Sequence, residues 1–209
     1  NLAVVEVEDP RITKLSEMYN PKKTVYAAVE FIDFVGLSSG SAREGVFSGE
    51  AMGLMKTVDA LCVVLRNFHD ETIDAVEGEP KPVSDMAALD EELVFSDLVI
   101  VEKRQERIET DIARGRKTPE LAAEQKLFNK IKEHLDDIKP LRTMEFSEEE
   151  LKMIGGFQFL SLKPVLVILN SGEDNYGRND DTIAELSKQY NTIEFAGKFE
   201  MELSGLDDE

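Results

Sequence analysis

Asp33 closes the apolar run 25–34 and is followed three residues later by Gly36. A carboxylate just past a buried strand can hold a metal-bound water, and a glycine amide can approach a terminal phosphate because no side chain intervenes. The pair therefore suits a magnesium-phosphate site, with Asp33 holding Mg2+ through water. Asp-x-x-Gly also ends many ordinary strands and turns, so it needs company to carry weight. Company comes from Asn170-Ser171-Gly172-Glu173, directly after the strand-like stretch 165–169. An amide offers donor and acceptor and a carboxylate accepts only, which lets Asn170 and Glu173 address the hydrogen-bonding edge of a base. A third strand-like stretch, 192–195, runs into Ala196-Gly197-Lys198. Crevices at the carboxyl ends of parallel strands bind ligands in doubly wound folds, and these three strand ends point to one nucleotide.

The elements that would position these residues can be read from periodicity. Val94, Leu98, Val101, Gln105, Ile108 and Ile112 follow a 4-3-4-3 spacing, and a second stripe runs through Leu121, Phe128, Ile131, Leu135 and Ile138. Gly115 suits the end of the first helix, and Thr118 with Pro119 suits the cap and first position of the second, so an antiparallel hairpin is predicted. Gln105 and Glu124 sit at stripe positions and are expected to weaken its seam. A short amphipathic helix is predicted over 11–19, a buried strand over 60–65, a linker over 70–84 and a last helix over 183–190. Ser147 to Glu150 reads as a capping box, with Gly155-Gly156 closing its helix. Cys62 reads as a buried strand thiol, His69 as a loop residue after a strand, and His134 as lying on the exposed face of the second hairpin helix. Two histidines and one cysteine without ligand spacing argue against zinc, and the single cysteine excludes an internal disulfide. No Ser/His/Asp or Cys/His arrangement points to covalent catalysis.

The 209 residues can bury a real core, and no apolar stretch reaches the roughly 18 residues needed to span a bilayer. With 43 acids against 24 bases, the net charge of −19 argues against wrapping nucleic acid over the whole surface. A local basic cluster remains in Arg114, Arg116 and Lys117, with Arg104 and Arg107 a few turns earlier. Cations near a helix C-terminus complement its dipole, and RNA contact is the alternative use of the cluster. The acidic end Asp207-Asp208-Glu209 is expected to be solvated.

Asp9-Pro10-Arg11 with Lys14-Leu15, Glu30-Phe31-Ile32-Asp33 with Gly36-Leu37, Thr57-Val58-Asp59-Ala60, Val63-Val64-Leu65-Arg66 and Asp85-Met86 with Glu92-Leu93 occur in order along the first half of the chain. Val101-Glu102-Lys103-Arg104, Lys163-Pro164-Val165, Asn170-Ser171-Gly172-Glu173 and Lys198-Phe199-Glu200 continue the pattern. Taken together the chain resembles the YchF branch of the Obg-related GTPases over nearly its whole length. The resemblance implies an α/β, P-loop NTPase-like (Rossmann-like) fold, with a mostly parallel sheet and an inserted antiparallel coiled-coil arm. Residues 1–86 and 147–209 would form the nucleotide-binding domain and 87–146 the arm. It assigns Asp33 and Gly36 to the metal and γ-phosphate switch, Asn170 and Glu173 to base recognition, and Ala196-Gly197-Lys198 to the loop backing the base.

The function so implied is a cytoplasmic, monomeric, nucleotide-dependent switch that binds and slowly hydrolyses ATP or GTP with Mg2+, associated with ribosomes. The alternative is a non-catalytic interaction module with a decayed nucleotide site. Leu37 stands where relatives of Ras carry the water-orienting glutamine, so slow turnover is expected and the catalytic group is unassigned. Val35 replaces a usual alanine, the switch glycines are redistributed over Gly40, Gly45 and Gly49, and Gly197 replaces the alanine before Lys198. Ser171 and Glu173 replace the lysine and aspartate of the guanine-reading Asn-Lys-x-Asp, which favours ATP. No Gly-x-x-x-x-Gly-Lys-[Ser/Thr] occurs in the chain. In the family that loop precedes the residue corresponding to Asn1, in a strand-loop-helix unit of about 30 residues, and a small β-rich domain follows. The 209 residues alone are therefore expected to bind nucleotide poorly and to hydrolyse none.

Overall fold

The computed structural model describes residues 2–33 and 49–206. Val35, Gly36, Leu37, Gly40, Gly45 and the acidic end 207–209 lie outside the described residues, and the expectations placed on them with them. The chain divides into two compact units, 1–37 and 38–209.

In the first unit β1 (Leu2–Val7) pairs antiparallel with β2 (Ala27–Ile32), Leu2 opposite Ile32 and Val7 opposite Ala27. Between them runs α1 (Pro10–Tyr19), as predicted. Asp9 caps it, accepting from the Arg11 amide at 2.8 Å, and Pro10 occupies a first-turn position where no amide proton is needed. Asn20 ends it with a left-handed φ of 44°. The predicted buried character of 25–34 is not observed among its described residues: Val29 and Phe31 are exposed, as are Val4 and Val5 on β1. None of residues 2–33 is buried, so this unit offers the apolar run no closed core to enter.

The second unit is built on a three-stranded parallel sheet in the order β3 (Leu61–Asn67), β4 (Val165–Ser171), β5 (Asn191–Phe195). Leu61 pairs with Val165 and Asn67 with Ser171; Leu166 pairs with Asn191 and Asn170 with Phe195. Val165, Val167 and Leu169 are buried while Leu166 between them is exposed, so β4 is buried on one face rather than on both. Cys62 falls on the open face with Val64 and is exposed, contrary to its expected burial. Period 2 decides the matter: Leu61 and Leu65 take the covered side of β3 and leave Cys62 on the other.

Parallel neighbours need long crossovers. The β3-to-β4 crossover holds α3 (Glu71–Glu77), α4 (Pro82–Ala113), α5 (Pro119–Asp136) and α6 (Glu148–Ile154). The 70–84 stretch is thus not a linker. Asp70 caps α3 by accepting from the Thr72 and Ile73 amides, and Pro82 already opens α4.

Helices α4 and α5 form the predicted antiparallel hairpin. Val94, Val101 and Ile108, seven apart, are buried along α4, and Leu121, Phe128 and Leu135, also seven apart, are buried along α5. At the tip Gly115 (φ 88°) takes the left-handed position, and the Arg116 amide donates back to the Asp111 carbonyl in a Schellman closure. Thr118 Oγ1 accepts from the Leu121 amide and so caps α5. The expected weak points in the seam are bridged instead. Arg104 donates to both carboxylate oxygens of Glu124 at 2.7 Å, and Gln105 Nε2 donates to Asn129 Oδ1 at 2.8 Å. Stripe positions tolerate polar groups when the facing helix supplies the partner.

At the base of the hairpin Phe128 meets Phe157 edge-on (centroids 5.0 Å apart), and Phe157 stacks on Phe159. Asp97, fully buried on α4, accepts from the Leu160 and Ser161 amides at 2.9 and 2.7 Å and ties the hairpin to the segment entering β4. His134 is half-buried rather than exposed: its Nε2–H donates to the Pro140 carbonyl at 3.2 Å. The capping box at Ser147–Glu150 and the close of α6 before Gly155 are as predicted. α7 (Asp180–Leu186) begins and ends earlier than expected and is not the last helix, since α8 (Gly197–Ser204) follows β5. Finally α2 (Gly49–Thr57) is held at its C-terminal end by Lys163, whose ammonium donates to the carbonyls of Lys56 and Val58.

Candidate functional site

The carboxyl ends of β3, β4 and β5 place Asn67, Asn170, Ser171 and Glu194 at one edge of the sheet. Alternation along β4 sends Asn170 and Ser171 to opposite faces. On the open face Asn170 Oδ1 accepts from the Gly197 amide at 3.0 Å. That amide is one of the free donors at the start of α8, and Ala196, the residue before the helix, has no side-chain oxygen to offer it. Asn170 therefore caps a helix from a neighbouring strand. Its amide carbonyl is committed by this bond, so Nδ2 is the edge that can donate to a ligand. A Cβ at residue 197 would stand 3.0 Å from Asn170 Oδ1, which gives the glycine a steric reason. Gly197 and Lys198 belong to the first turn of α8, not to a loop as predicted; the run Phe199-Glu200-Met201-Glu202-Leu203 continues a helix directly from Ala196.

On the covered face Ser171 is buried and its hydroxyl donates to Glu194 Oε1 at 2.7 Å. Asn67 Nδ2 donates to the same hydroxyl oxygen at 3.0 Å. Asn179 Nδ2 reaches Glu194 Oε1 at 2.6 Å, and the Gly177 amide donates to Glu194 Oε2 at 3.0 Å. Burial opposes the Glu194 charge, but these donors outweigh it and hold the carboxyl below the usual glutamate range. Between the anchors the turn is closed by the Asn175 and Tyr176 amides, which donate to the Gly172 carbonyl, and by Asn175 Nδ2, which donates to the Asn67 carbonyl at 2.8 Å. Asn175 Oδ1 is buried without a hydrogen-bond partner among the described residues. A Cβ on Gly172 would come within 3.3 Å of Phe68 Cβ and closer still to Asp174 Oδ1. Glu173 is exposed on this turn.

Of the residues singled out by sequence, Asn170, Gly197 and the Ser171–Glu173 turn come together in the second unit. Asp33 directly follows β2 in the first unit, and Gly36 and Leu37 lie outside the described residues. Arg114, Arg116 and Lys117 are at the hairpin tip, with Arg116 Nη1 3.5 Å from Asp111 Oδ2. Glu194, Asn179, Asn67 and Asn175 were not anticipated. The available signal was Glu194 itself, an acid between Ile193 and Phe195 in a short strand. Elsewhere at the strand ends, Arg66 on β3 donates to Asp74 Oδ1 and to the Gly78 carbonyl, each at 2.5 Å, and His69 Nδ1 lies 3.0 Å from Asp74 Oδ2. Hydrogen bonds from Arg66 first, then His69, hold the Asp74 carboxyl below its ordinary value.

A parallel sheet whose first two strands are separated by a crossover carrying a long helical hairpin, with polar residues gathered at its carboxyl edge, is an α/β arrangement of the P-loop NTPase-like, Rossmann-like kind with a helical arm. No family model matches the chain. All of it aligns at 32% identity over 216 residues with the ribosome-binding ATPase YchF of Bacillus subtilis, and 84% of it at 35% identity with Obg-like ATPase 1 of Schizosaccharomyces pombe. The solved structure of the Schizosaccharomyces pombe YchF GTPase superimposes on 99% of the chain with a TM-score of 0.79 and 28% identity. The chain belongs to the YchF/Obg-like family. It spans 58% of the length of the Bacillus protein and of the solved Schizosaccharomyces chain, and 46% of Obg-like ATPase 1.

Proposed function

We propose that this chain carries the base-reading corner and the partner-contacting arm of a nucleotide-dependent switch that takes ATP in preference to GTP. The observation behind this reading is the Asn170–Gly197 bond. With Oδ1 engaged, Nδ2 is a fixed donor for the N7 acceptor that both purines present, and Glu173 is an acceptor within the same turn for the exocyclic amine of adenine. Asp33 would hold Mg2+ through a water, in keeping with the habit of that ion of retaining most of its water shell. Gly36 would contribute its amide to the terminal phosphate. Leu37 offers no water-orienting group, so hydrolysis in the full-length protein is slow. Residues 1–86 and 147–209 act as one nucleotide domain and 87–146 as its arm, in a cytoplasmic monomer. Because the Bacillus relative is a ribosome-binding ATPase by name, the hairpin tip with Arg114, Arg116 and Lys117 is assigned to ribosome or RNA contact.

A second reading applies to the 209 residues by themselves: a non-catalytic protein–protein interaction module. It is favoured by the sequence, which holds no Gly-x-x-x-x-Gly-Lys-[Ser/Thr] to cradle a triphosphate. The deciding experiment is a competition titration of labelled nucleotide with ATP and GTP on the full-length protein. Displacement by ATP at much lower concentration than by GTP supports the switch. Preferential displacement by GTP removes the adenine assignment of Glu173, and failure of both leaves the interaction module.

A further inference from the structure

Glu194 is the convergence point of the base corner, and it does not face the side of the sheet on which Asn170 lies. Its two carboxylate oxygens gather three donors from three separate places: the Ser171 hydroxyl at the end of β4, Asn179 at the entry to α7, and the Gly177 amide between them. Ser171 precedes the turn and Gly177 and Asn179 follow it, so one side chain closes the loop around Gly172 and Glu173. Three residues further along the chain, the Gly197 amide grips Asn170 on the opposite face. The peptide joining Asn170 to Ser171 is thus clamped from both sides of the sheet by β5 and its continuation. Ser171, where guanine-reading relatives of Ras carry lysine, is buried with its hydroxyl committed, and so serves as an anchor rather than as a cover for the base.

We propose that Glu194 is a positioning residue for base selection: by fixing the 171–177 turn through Ser171, Gly177 and Asn179 it holds Glu173 at the base edge and sets the preference between ATP and GTP. This rests on the nucleotide reading above. Glu194→Gln keeps the length of the side chain, but its amide nitrogen must face either the Gly177 amide at one oxygen position or both Ser171 and Asn179 at the other, so at least one of those bonds is lost however the group turns. Ser171→Ala removes one donor without touching the carboxylate and serves where the first variant folds poorly.

The experiment is equilibrium competition on the full-length protein with three probes, ATP, GTP and the base-free inorganic tripolyphosphate, with circular dichroism as a check on folding. The expected result for Glu194→Gln is a loss of ATP affinity of about tenfold, on the scale of one charge-assisted hydrogen bond. The ATP-to-GTP ratio should fall toward unity while tripolyphosphate competes as before, and Ser171→Ala should move the ratio in the same direction by less. An unchanged ratio in both variants, or parallel weakening of all three probes, overturns the role of Glu194. Failure of the unsubstituted protein to bind any nucleotide is a separate result, which removes the reading underneath it.

Discussion

Asn170 and Ser171 are adjacent in sequence but act on opposite faces of the sheet, one capping α8 and the other anchoring a turn. Asn170→Ala should therefore do two things: destabilise the chain by about 1 kcal/mol through loss of the Gly197 acceptor, and abolish base discrimination in the full-length protein. Urea denaturation reads the first and the nucleotide competition the second; a variant that loses stability but keeps its base preference contradicts the assignment of Nδ2. Tyr190, just before β5, gives a residue-scale test in pH. Its hydroxyl donates to Asp90 Oδ2 at 2.6 Å, Arg142 lies over its ring and donates to the other Asp90 oxygen, and burial first, then the Asp90 carboxylate, pushes its pKa from 10.0 up to about 12. Because the folded value lies above the unfolded one, this contribution to stability is complete below pH 10.0 and is lost as pH rises toward about 12. Titration of tyrosinate absorbance should show one of the four tyrosines ionising last, and Tyr190→Phe should remove that step. A late step that survives the substitution would belong to another tyrosine and contradict the raised value assigned to Tyr190.

Among the elements, the hairpin separates apolar from ionic contributions. Phe128 is fully buried against Phe157 and Phe159, and Phe128→Ala should cost about 3–5 kcal/mol. The Arg104–Glu124 pair is partly solvated, so Glu124→Ala should cost no more than about 1 kcal/mol. A larger loss at Glu124 than at Phe128 in urea unfolding would mean that the polar bridges, not the heptad seam, hold the helices together. Asp97→Ala is expected to be severe for a different reason. It leaves the Leu160 and Ser161 amides buried without their acceptor, a loss of about 3 kcal/mol. The hairpin, its Gly115 turn and the Thr118 cap were legible from spacing because these are local rules read within one or two helices. The burial of Asp97 was not, since its partners lie more than 60 residues away in sequence. The Pro140 partner of His134 was also hidden, because it depends on where the chain turns after α5.

For the whole molecule, a net charge of −19 repels polyanions, so any ribosome or RNA contact has to be confined to a local basic surface. Reversing charge at Arg114, Arg116 and Lys117 should abolish co-sedimentation of the full-length protein with ribosomes, and raising salt should weaken the unsubstituted complex; unchanged co-sedimentation would leave those cations to the helix end they cap. At this scale the division between sequence and structure is clear. Residue order alone carries the family, the polar composition of the strand ends and the hairpin, since each depends on types and spacings within short segments. Tertiary structure decided that β1 and β2 pair antiparallel while β3, β4 and β5 run parallel, and that Cys62 faces outward. It also decided that Gly197 opens a helix and that Glu194 closes the turn on which Glu173 lies. The physical reason is the same in each case: hydrogen-bond partners and covered faces are set by strands far apart in the chain, and a sequence specifies which groups need partners without stating which groups will meet them.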